Sequence, residues 1–236
     1  MNRYLVFAFV LGLCLSFVVT GSEAYDPSYV IVAVYGSTPL IDGVINSTEW
    51  SDAASVSFNE TEVLTKQDGL NLYVGFNMSY APFLTYDAVI VFMDVEANGG
   101  LTLQSDDIAL VVWANETLGE ANVTGGVWTA REVTGWNAEM QSIPNLWQVE
   151  FNITYSKINV VAGVEKTIGA AFMSTYAATT HYTWPPEIDY PSEWGGMTST
   201  EYNWIPEFPS FVILPLFMMA TLLTVVAYRR KRIKRT

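Results

Sequence analysis

Two apolar segments, Ala88-Val-Ile-Val-Phe-Met93 and Ile108-Ala-Leu-Val-Val-Trp113, decide the fold of this chain. Both are short and rich in β-branched and aromatic residues, which is the composition of β-strands. Neither alternates apolar with polar residues, as a strand with one face in water would. The pattern therefore predicts two neighbouring strands whose second face is also covered, by something other than water.

An acidic, glycine-rich loop joins these two strands. Oxygen-bearing side chains stand at alternate positions before Gly99 and Gly100, and two more follow before the second strand. Such a pattern can wrap a hard cation such as Ca²⁺. The loop predicts a calcium site with ligands drawn from Asp94, Glu96, Asn98, Asp106 and Asp107. The alternative is a solvated hairpin loop that holds no ion.

Further strand patterns lie on both sides of this pair. Residues 29–35 and 168–176 are apolar runs, and residues 72–78 and 147–153 alternate apolar with polar side chains. Turn signals separate them at intervals of about ten residues, a spacing typical of sandwiches and barrels. No segment between the termini shows a long helical period. We therefore expect one all-β domain, a jelly-roll or immunoglobulin-like β-sandwich, over residues 25–207.

The N-terminal segment has the pattern of a signal peptide. Arg3 precedes an apolar run, and Ser22-Glu-Ala24 presents small residues at the positions that a signal peptidase recognises. We expect cleavage after Ala24 and export of the chain. The single cysteine, Cys14, lies in this segment, so the mature protein would form no disulfide.

A second apolar run, Phe208 to Tyr228, lies near the C-terminus. At ~1.5 Å per residue it is about 31 Å long, enough for one transmembrane helix. The basic tail, residues 229–236, is expected in the cytoplasm and the bulk of the chain outside the cell membrane. The order Pro206-Glu-Phe-Pro209, apolar span and basic tail resembles the archaeal PEF-type sorting signal.

The charge of the chain is strongly negative. The formal net charge is −13, and the basic residues of the predicted exported domain are Lys66, Arg131, Lys157 and Lys166. Such a surface repels nucleic acid, so we expect no nucleic-acid partner. No histidine-based triad, cysteine nucleophile or phosphate loop is present in the sequence, and the chain is not expected to be an enzyme.

Sequons of the form N-x-Ser/Thr are frequent in the exported part, which predicts a glycosylated surface. They begin at Asn46, Asn59, Asn77, Asn115, Asn122 and Asn152. Asn77 and Asn152 fall on the polar side of alternating strands, where a glycan would have room.

An ordered set of motifs resembles the family 9 carbohydrate-binding modules and their DOMON-like relatives, from Pro39 to Thr198. The motifs are Ile41-Asp-Gly-Val-Ile-Asn-Ser-Thr-Glu-Trp50, Asp68-Gly-Leu-Asn-Leu-Tyr-Val74, Asp87 to Asp94, Trp136 to Pro144, Trp147-Gln-Val-Glu150 and Pro191 to Thr198. The resemblance implies a jelly-roll-like β-sandwich, often with bound Ca²⁺, and non-catalytic binding of a glycan at the cell surface.

In the sugar-binding members, two tryptophans enclose a terminal saccharide, with polar side chains between them. The resemblance places Trp184, with its neighbour Tyr182, on one side of the sugar. The partner position, just before Asp87, is not a tryptophan in this sequence, and Phe83 and Tyr86 are the nearest aromatic residues. If Trp184 is a platform, one face of its indole is exposed; the alternative is a packing residue. Ile90 and Val111 stand at the positions of the expected polar contacts.

Two other functions stay open at this point. The domain could be a structural envelope or adhesion protein without a small ligand. Some DOMON-like relatives hold haem b between a methionine and a histidine, and here His181 would pair with Met93 or Met173.

Overall fold

The computed structural model describes residues 25–161, 166–177 and 179–199. Within them lie fourteen strands and one short 3-10 helix, Pro191–Glu193, and no α-helix. The strands are β1 (Asp26–Val32), β2 (Val34–Tyr35), β3 (Ala54–Phe58), β4 (Thr61–Gln67), β5 (Asn71–Met78), β6 (Ala88–Asp94), β7 (Asp107–Trp113), β8 (Leu118–Thr124), β9 (Val127–Arg131), β10 (Trp136–Ile143), β11 (Leu146–Thr154), β12 (Ile168–Tyr176), β13 (Thr180–Trp184) and β14 (Gly195–Thr198).

The strands form two sheets. The eight-stranded sheet has the order β1-β14-β12-β6-β7-β8-β9, and β13 pairs with the second half of β12. The six-stranded sheet has the order β10-β11-β5-β4-β2, and β3 also pairs with β4. The predicted central pair, β6 and β7, is antiparallel, with Ile90 opposite Val111 and Asp94 opposite Asp107.

The core lies between the two sheets and is built by strand alternation. Val89, Val91 and Met93 of β6 are fully buried. Rings interdigitate across the gap: Phe76 lies 5.9 Å from Phe172 of the other sheet, centroid to centroid. The all-β sandwich predicted from the sequence is confirmed.

The outer face of the six-stranded sheet is covered by the chain itself. Residues 39–53, here called the covering segment, lie across β5 and β11. The carboxylate of Glu150 accepts hydrogen bonds from the Asp42 and Gly43 amides, at 3.0 and 2.8 Å, and from the Trp50 indole, at 2.7 Å. Glu150 is fully buried, and burial raises its pKa.

Two glycines make this close approach possible. Gly43 has φ of 81°, and a Cβ there would lie 2.5 Å from the Met140 carbonyl carbon. A Cβ on Gly75 would lie 3.0 Å from the Ile45 side chain and 3.1 Å from the Trp50 ring. Glycine is therefore required at position 43 by conformation and space, whereas at position 75 a side chain would fit only if Ile45 and Trp50 shifted by a few tenths of an ångström.

A buried lysine fixes the end of the covering segment. Lys66 of β4 is fully buried, and its Nζ lies 2.7 Å from Asp52 Oδ1 and also donates to the Glu49 carbonyl. The same Nζ lies 5.6 Å from the centroid of the Trp50 ring. Because the ammonium has a carboxylate and backbone partner, its burial is compensated.

The predicted signal peptide, the span Phe208 to Tyr228 and the basic tail lie outside the described residues. Within the described ranges, no helix has the length and apolarity to cross a membrane.

We predict that Glu150→Ala lowers the free energy of unfolding by about 2–4 kcal/mol, because it leaves buried donors without an acceptor. Glu139→Ala is the matched control: Glu139 is the cross-strand partner of Glu150 but is exposed. Urea denaturation of the purified protein measures both changes. Equal effects of the two substitutions would contradict the role assigned to Glu150.

Candidate functional site

The two ends of β6 carry different chemistry. The loop that holds Phe83 and Tyr86 precedes Ala88, whereas the acidic loop follows Asp94. A strand of this length spans about 20 Å. The aromatic loop and the acidic loop therefore lie at opposite ends of the sandwich.

The aromatic loop is held in place by a buried carboxylate. Asp87 is fully buried, and its Oδ2 accepts hydrogen bonds from the Phe83 and Leu84 amides at 2.7 and 2.8 Å. The Asp87 carbonyl accepts the Ala114 amide at 2.8 Å. The loop is thus fixed to β7, while Phe83 and Tyr86 remain 68% and 59% exposed.

Aromatic rings connect this loop to the core. Tyr80 is buried and meets Tyr176 and Tyr182 edge-on, with centroids 5.5 and 5.8 Å away. Phe83 lies 5.9 Å from Tyr176. We call the outer members, Phe83, Tyr86, Tyr176 and Tyr182, the aromatic patch. Tyr176 gives no separate signal in the sequence, because it stands at the end of a long apolar strand.

Trp184 is a packing residue in this structure, and the expected exposed face is not present. It is only 7% exposed and stacks on Phe172 with centroids 5.3 Å apart and planes 23° apart. Tyr29 meets the same indole edge-on at 6.2 Å. The reason is the register of β13, which pairs antiparallel with β12. Trp184 lies opposite the inward-facing Phe172, and both side chains enter the core.

The outer face of the central strands is partly covered, as their lack of alternation predicts. Phe92 meets Trp128 at 5.8 Å and Trp194 at 5.7 Å between ring centroids. Ile90 and Val111, at the positions of the expected polar contacts, are half-buried on this face. This part of the sheet offers apolar contact and not hydrogen bonds.

The possible haem ligands are separated by the sheet. Met93 is fully buried in the core, while His181 is exposed and pairs with Thr175 of β12. Alternation places Met93 and His181 on opposite faces, so these two residues cannot share an iron. Met173 is half-buried and lies on the same outer face as His181.

The acidic loop brings three carboxylates together. One oxygen each from Asp94, Asp106 and Asp107 lies within 4.8 Å of the others. Asp94 and Asp107 are fully buried, since their residues pair at the ends of β6 and β7. Backbone amides orient them: Gly99 donates to Asp94 Oδ2 at 2.7 Å, and Gln104 donates to Asp107 Oδ2 at 2.6 Å.

Without a cation, the charged forms of the two buried carboxylates, Asp94 and Asp107, are unfavourable. Burial, with the neighbouring carboxylates, raises the pKa of Asp94 to about 6 and that of Asp107 to about 7. Asp107 Oδ1 is buried and has no hydrogen-bond partner among the described residues. An unpaired buried carboxylate oxygen is costly and is satisfied by a proton or a cation.

The other two expected calcium ligands, Glu96 and Asn98, differ in whether their side chains reach the carboxylate cluster. The Glu96 side chain turns to Asn159 Nδ2, at 2.9 Å, and to Lys166 Nζ, at 3.6 Å. In this structure Glu96 does not join the carboxylate cluster, because its exposed side chain pairs with Asn159 and Lys166 outside the loop; its role as a calcium ligand stays a prediction. Asn98 stays at the cluster, and its Nδ2 lies 3.2 Å from Asp106 Oδ2.

The sequons fall into two groups. Asn46, Asn59 and Asn115 are exposed in turns. The strand positions Asn77, Asn122 and Asn152 are half-buried. Asn77 accepts a hydrogen bond from Gln148 at 3.1 Å, and Asn152 Oδ1 is buried. The space for a glycan that was expected at Asn77 and Asn152 is not present. Both residues lie on the face of the sheet that carries the covering segment, and both are half-buried.

Comparison with known proteins identifies the fold. No family model and no curated sequence matches the chain. A family 9 carbohydrate-binding module from Caldicellulosiruptor kristjanssonii, solved in complex with cellotriose, is similar with a TM-score of 0.57 and 18% identity over 76% of this chain and 100% of the module. A module of the same family and organism, solved in complex with glucose, is similar with a TM-score of 0.56 and 18% identity. The likeness covers 75% of this chain and 99% of that module.

A third similar structure, a putative carbohydrate-binding protein from Bacteroides uniformis, has a TM-score of 0.47 and 10% identity over 73% of this chain and 99% of that one. The first two likenesses show that the chain has the fold of the family 9 modules.

We predict that Trp184→Ala destabilises the protein by about 3–5 kcal/mol, because it leaves a cavity against Phe172 in the core. Phe83→Ala, at an exposed position, should change the free energy of unfolding by no more than about 0.5 kcal/mol. Thermal and urea denaturation measure both. An unchanged stability of Trp184→Ala would show that the indole is free and not packed.

Proposed function

We propose that the protein is a non-catalytic carbohydrate-binding module of the cell surface and that its aromatic patch holds the sugar. The observation that carries this proposal is the pair of exposed rings, Phe83 and Tyr86, on a loop fixed by Asp87 at one end of the sandwich. The fold of the family 9 modules supports it, since the similar structures are carbohydrate-binding modules in complex with cellotriose and glucose.

The chemistry of the patch suits a saccharide. The C–H faces of a pyranose are apolar and stack on aromatic rings, while its hydroxyls reach polar groups at the ring edges. The Tyr176 and Tyr182 hydroxyl groups can supply donors and acceptors. Fixing the loop in advance lowers the ordering cost of binding.

The charge of the domain favours a neutral sugar. Each described lysine lies beside a carboxylate: Lys66 with Asp52, Lys157 with Glu120 and Lys166 with Glu96. Arg131 donates to Asn122 at 2.7 Å. None of these contacts is in the aromatic patch, so an anionic sugar would find no cationic partner there.

We predict that Phe83→Ala and Tyr86→Ala each weaken glycan binding roughly thirtyfold, because removing a central stacking ring costs about 2 kcal/mol. Tyr35→Ala is the control: Tyr35 is a 41% exposed aromatic on the other sheet. Isothermal titration with neutral oligosaccharides chosen from a glycan array gives the affinities.

Unchanged glycan affinity in both variants would contradict the assignment of the sugar site to the aromatic patch. If the unmodified protein binds no glycan on the array, the carbohydrate proposal fails and a structural or adhesive role is favoured.

We also propose that the acidic loop binds Ca²⁺ through Asp94, Asp106 and Asp107. Carboxylate oxygens are the ligands that Ca²⁺ prefers. The buried, unpartnered Asp107 Oδ1 and the close approach of the three side chains support a cation at this position. Because the loop is remote from the aromatic patch, the ion would stabilise the fold and not contact the sugar.

The pH dependence of the calcium effect follows from the raised pKa values. In EDTA, the stability gained by protonating Asp94 and Asp107 is complete below about pH 4 and is lost as the pH rises through about 6 and about 7. Ca²⁺ replaces the protons by mass action, so we predict that it raises Tm much more at pH 8 than at pH 5.

Differential scanning calorimetry with Ca²⁺ and with EDTA at the two pH values tests this. Asp107→Asn should remove the calcium effect at pH 8, whereas Asp189→Asn, at an exposed position, should retain it. The same Tm in Ca²⁺ and EDTA at pH 8 would refute the site.

The location proposed for the protein rests on its sequence. The signal peptide pattern, the apolar run Phe208 to Tyr228 and the basic tail support a single-pass protein of the cell membrane with its bulk outside. The resemblance of residues 206–236 to the PEF-type signal supports an archaeal cell surface. Glycosylation is proposed at the exposed sequons Asn46, Asn59 and Asn115.

A further inference from the structure

The end of the sandwich opposite the aromatic patch carries exposed aliphatic side chains on its turns. Leu70 follows β4 and is 72% exposed, Leu101 lies in the acidic loop and is 72% exposed, and Val127 begins β9 and is 65% exposed. We call these three residues the aliphatic tips. Single exposed apolar residues are common; these three are notable because they stand on turns at one end of the domain.

Contacts between the turns place the tips at one end. The Leu70 carbonyl accepts the Tyr155 amide at 2.9 Å. Asn159, shortly after Tyr155, donates to Glu96 of the acidic loop at 2.9 Å. The β8–β9 turn lies beyond Asn122, which pairs with Ile108 next to the same loop. The turns that carry the three tips, from both sheets, therefore lie at the same end of the sandwich.

The described part of the chain also stops at this end, at Ser199. In β14, Met197 lies opposite Ile168, the first residue of β12. Ser199 then accepts a hydrogen bond from Gln67, the last residue of β4, at 3.1 Å. The predicted span begins at Phe208, and the intervening residues reach at most about 30 Å when extended. A bilayer crossed by that span would therefore lie within about 30 Å of Ser199, at the end of the domain that carries the aliphatic tips.

We propose that the aliphatic tips dock on the lipid surface of the membrane in which the predicted span is anchored, so that the aromatic patch faces away from the cell. The proposal goes beyond carbohydrate binding, since it concerns the opposite end of the domain. The attraction is apolar insertion into the interface. Charge attraction is not available, because Lys157 and Lys166 at this end are paired with Glu120 and Glu96.

The test uses the chain as exported, residues 25–236, reconstituted in phosphatidylcholine vesicles with Ca²⁺ present. This part of the sequence has no cysteine, so a single fluorophore can be attached at Leu70→Cys, Leu101→Cys or the control Ile143→Cys. Ile143 is 45% exposed and ends β10 at the aromatic end of the sandwich. Quenching is measured with lipids that carry a nitroxide on the acyl chain and with aqueous iodide.

We expect lipid-phase quenching at the Leu70 and Leu101 labels at least threefold stronger than at the Ile143 label, and the opposite order with iodide. Equal quenching at the three positions would overturn the proposal. Protection of the tip labels from iodide without lipid-phase quenching would also overturn it and would indicate a protein, such as a second copy of this chain, on the tips.

A chain that does not remain with the vesicles would refute the anchor and the docking together. Glycan binding, measured on the same vesicles, reports on the aromatic patch independently. If glycan binding is absent while the tips are quenched by lipid, carbohydrate binding fails and the docking proposal stands.

Discussion

The buried carboxylate of Glu150 holds the covering segment on the six-stranded sheet. It accepts two backbone amides and one indole from the covering segment while its own backbone belongs to the middle of the six-stranded sheet. A carboxylate is buried at low cost only when such donors surround it. The covering segment therefore has one position on the sheet, and Gly43, Gly75 and Trp50 are constrained by it.

This constraint covers only part of the six-stranded sheet. The covering segment lies over β5 and β11, with Lys66 held beneath Trp50, whereas Glu139 of β10 stays exposed. The outer face of the eight-stranded sheet is also partly covered, by rings such as Trp128 and Trp194. Its strand β6 connects the aromatic loop to the acidic loop. The candidate sites lie at the two ends of β6 and not on the covered part of the six-stranded sheet.

The sequence predicted the strands and the acidic cluster because these depend on local pattern. Alternation defines β5 and β11, and adjacent strand ends bring Asp94 and Asp107 together in any antiparallel pairing. The position of Trp184 depends on something else, the register of β13 on β12, and a motif before a closing turn does not reveal which face its tryptophan occupies. Glu96 illustrates the same limit, since Lys166 and Asn159, distant in sequence, draw its carboxylate away from the loop.

The two ends of the domain expose different kinds of apolar side chain. Rings are exposed at one end, at Phe83 and Tyr86, and aliphatic side chains at the other, at Leu70, Leu101 and Val127. Aromatic rings suit stacking on a flat polar ligand, whereas aliphatic side chains offer apolar area without a stacking face. The last described residue, Ser199, lies at the aliphatic end beside Gln67, so the ring-bearing end is the one farther from the point where the described chain stops. A strand of about 20 Å separates the two ends, so a sugar at the rings and a membrane at the tips would not compete for the same surface.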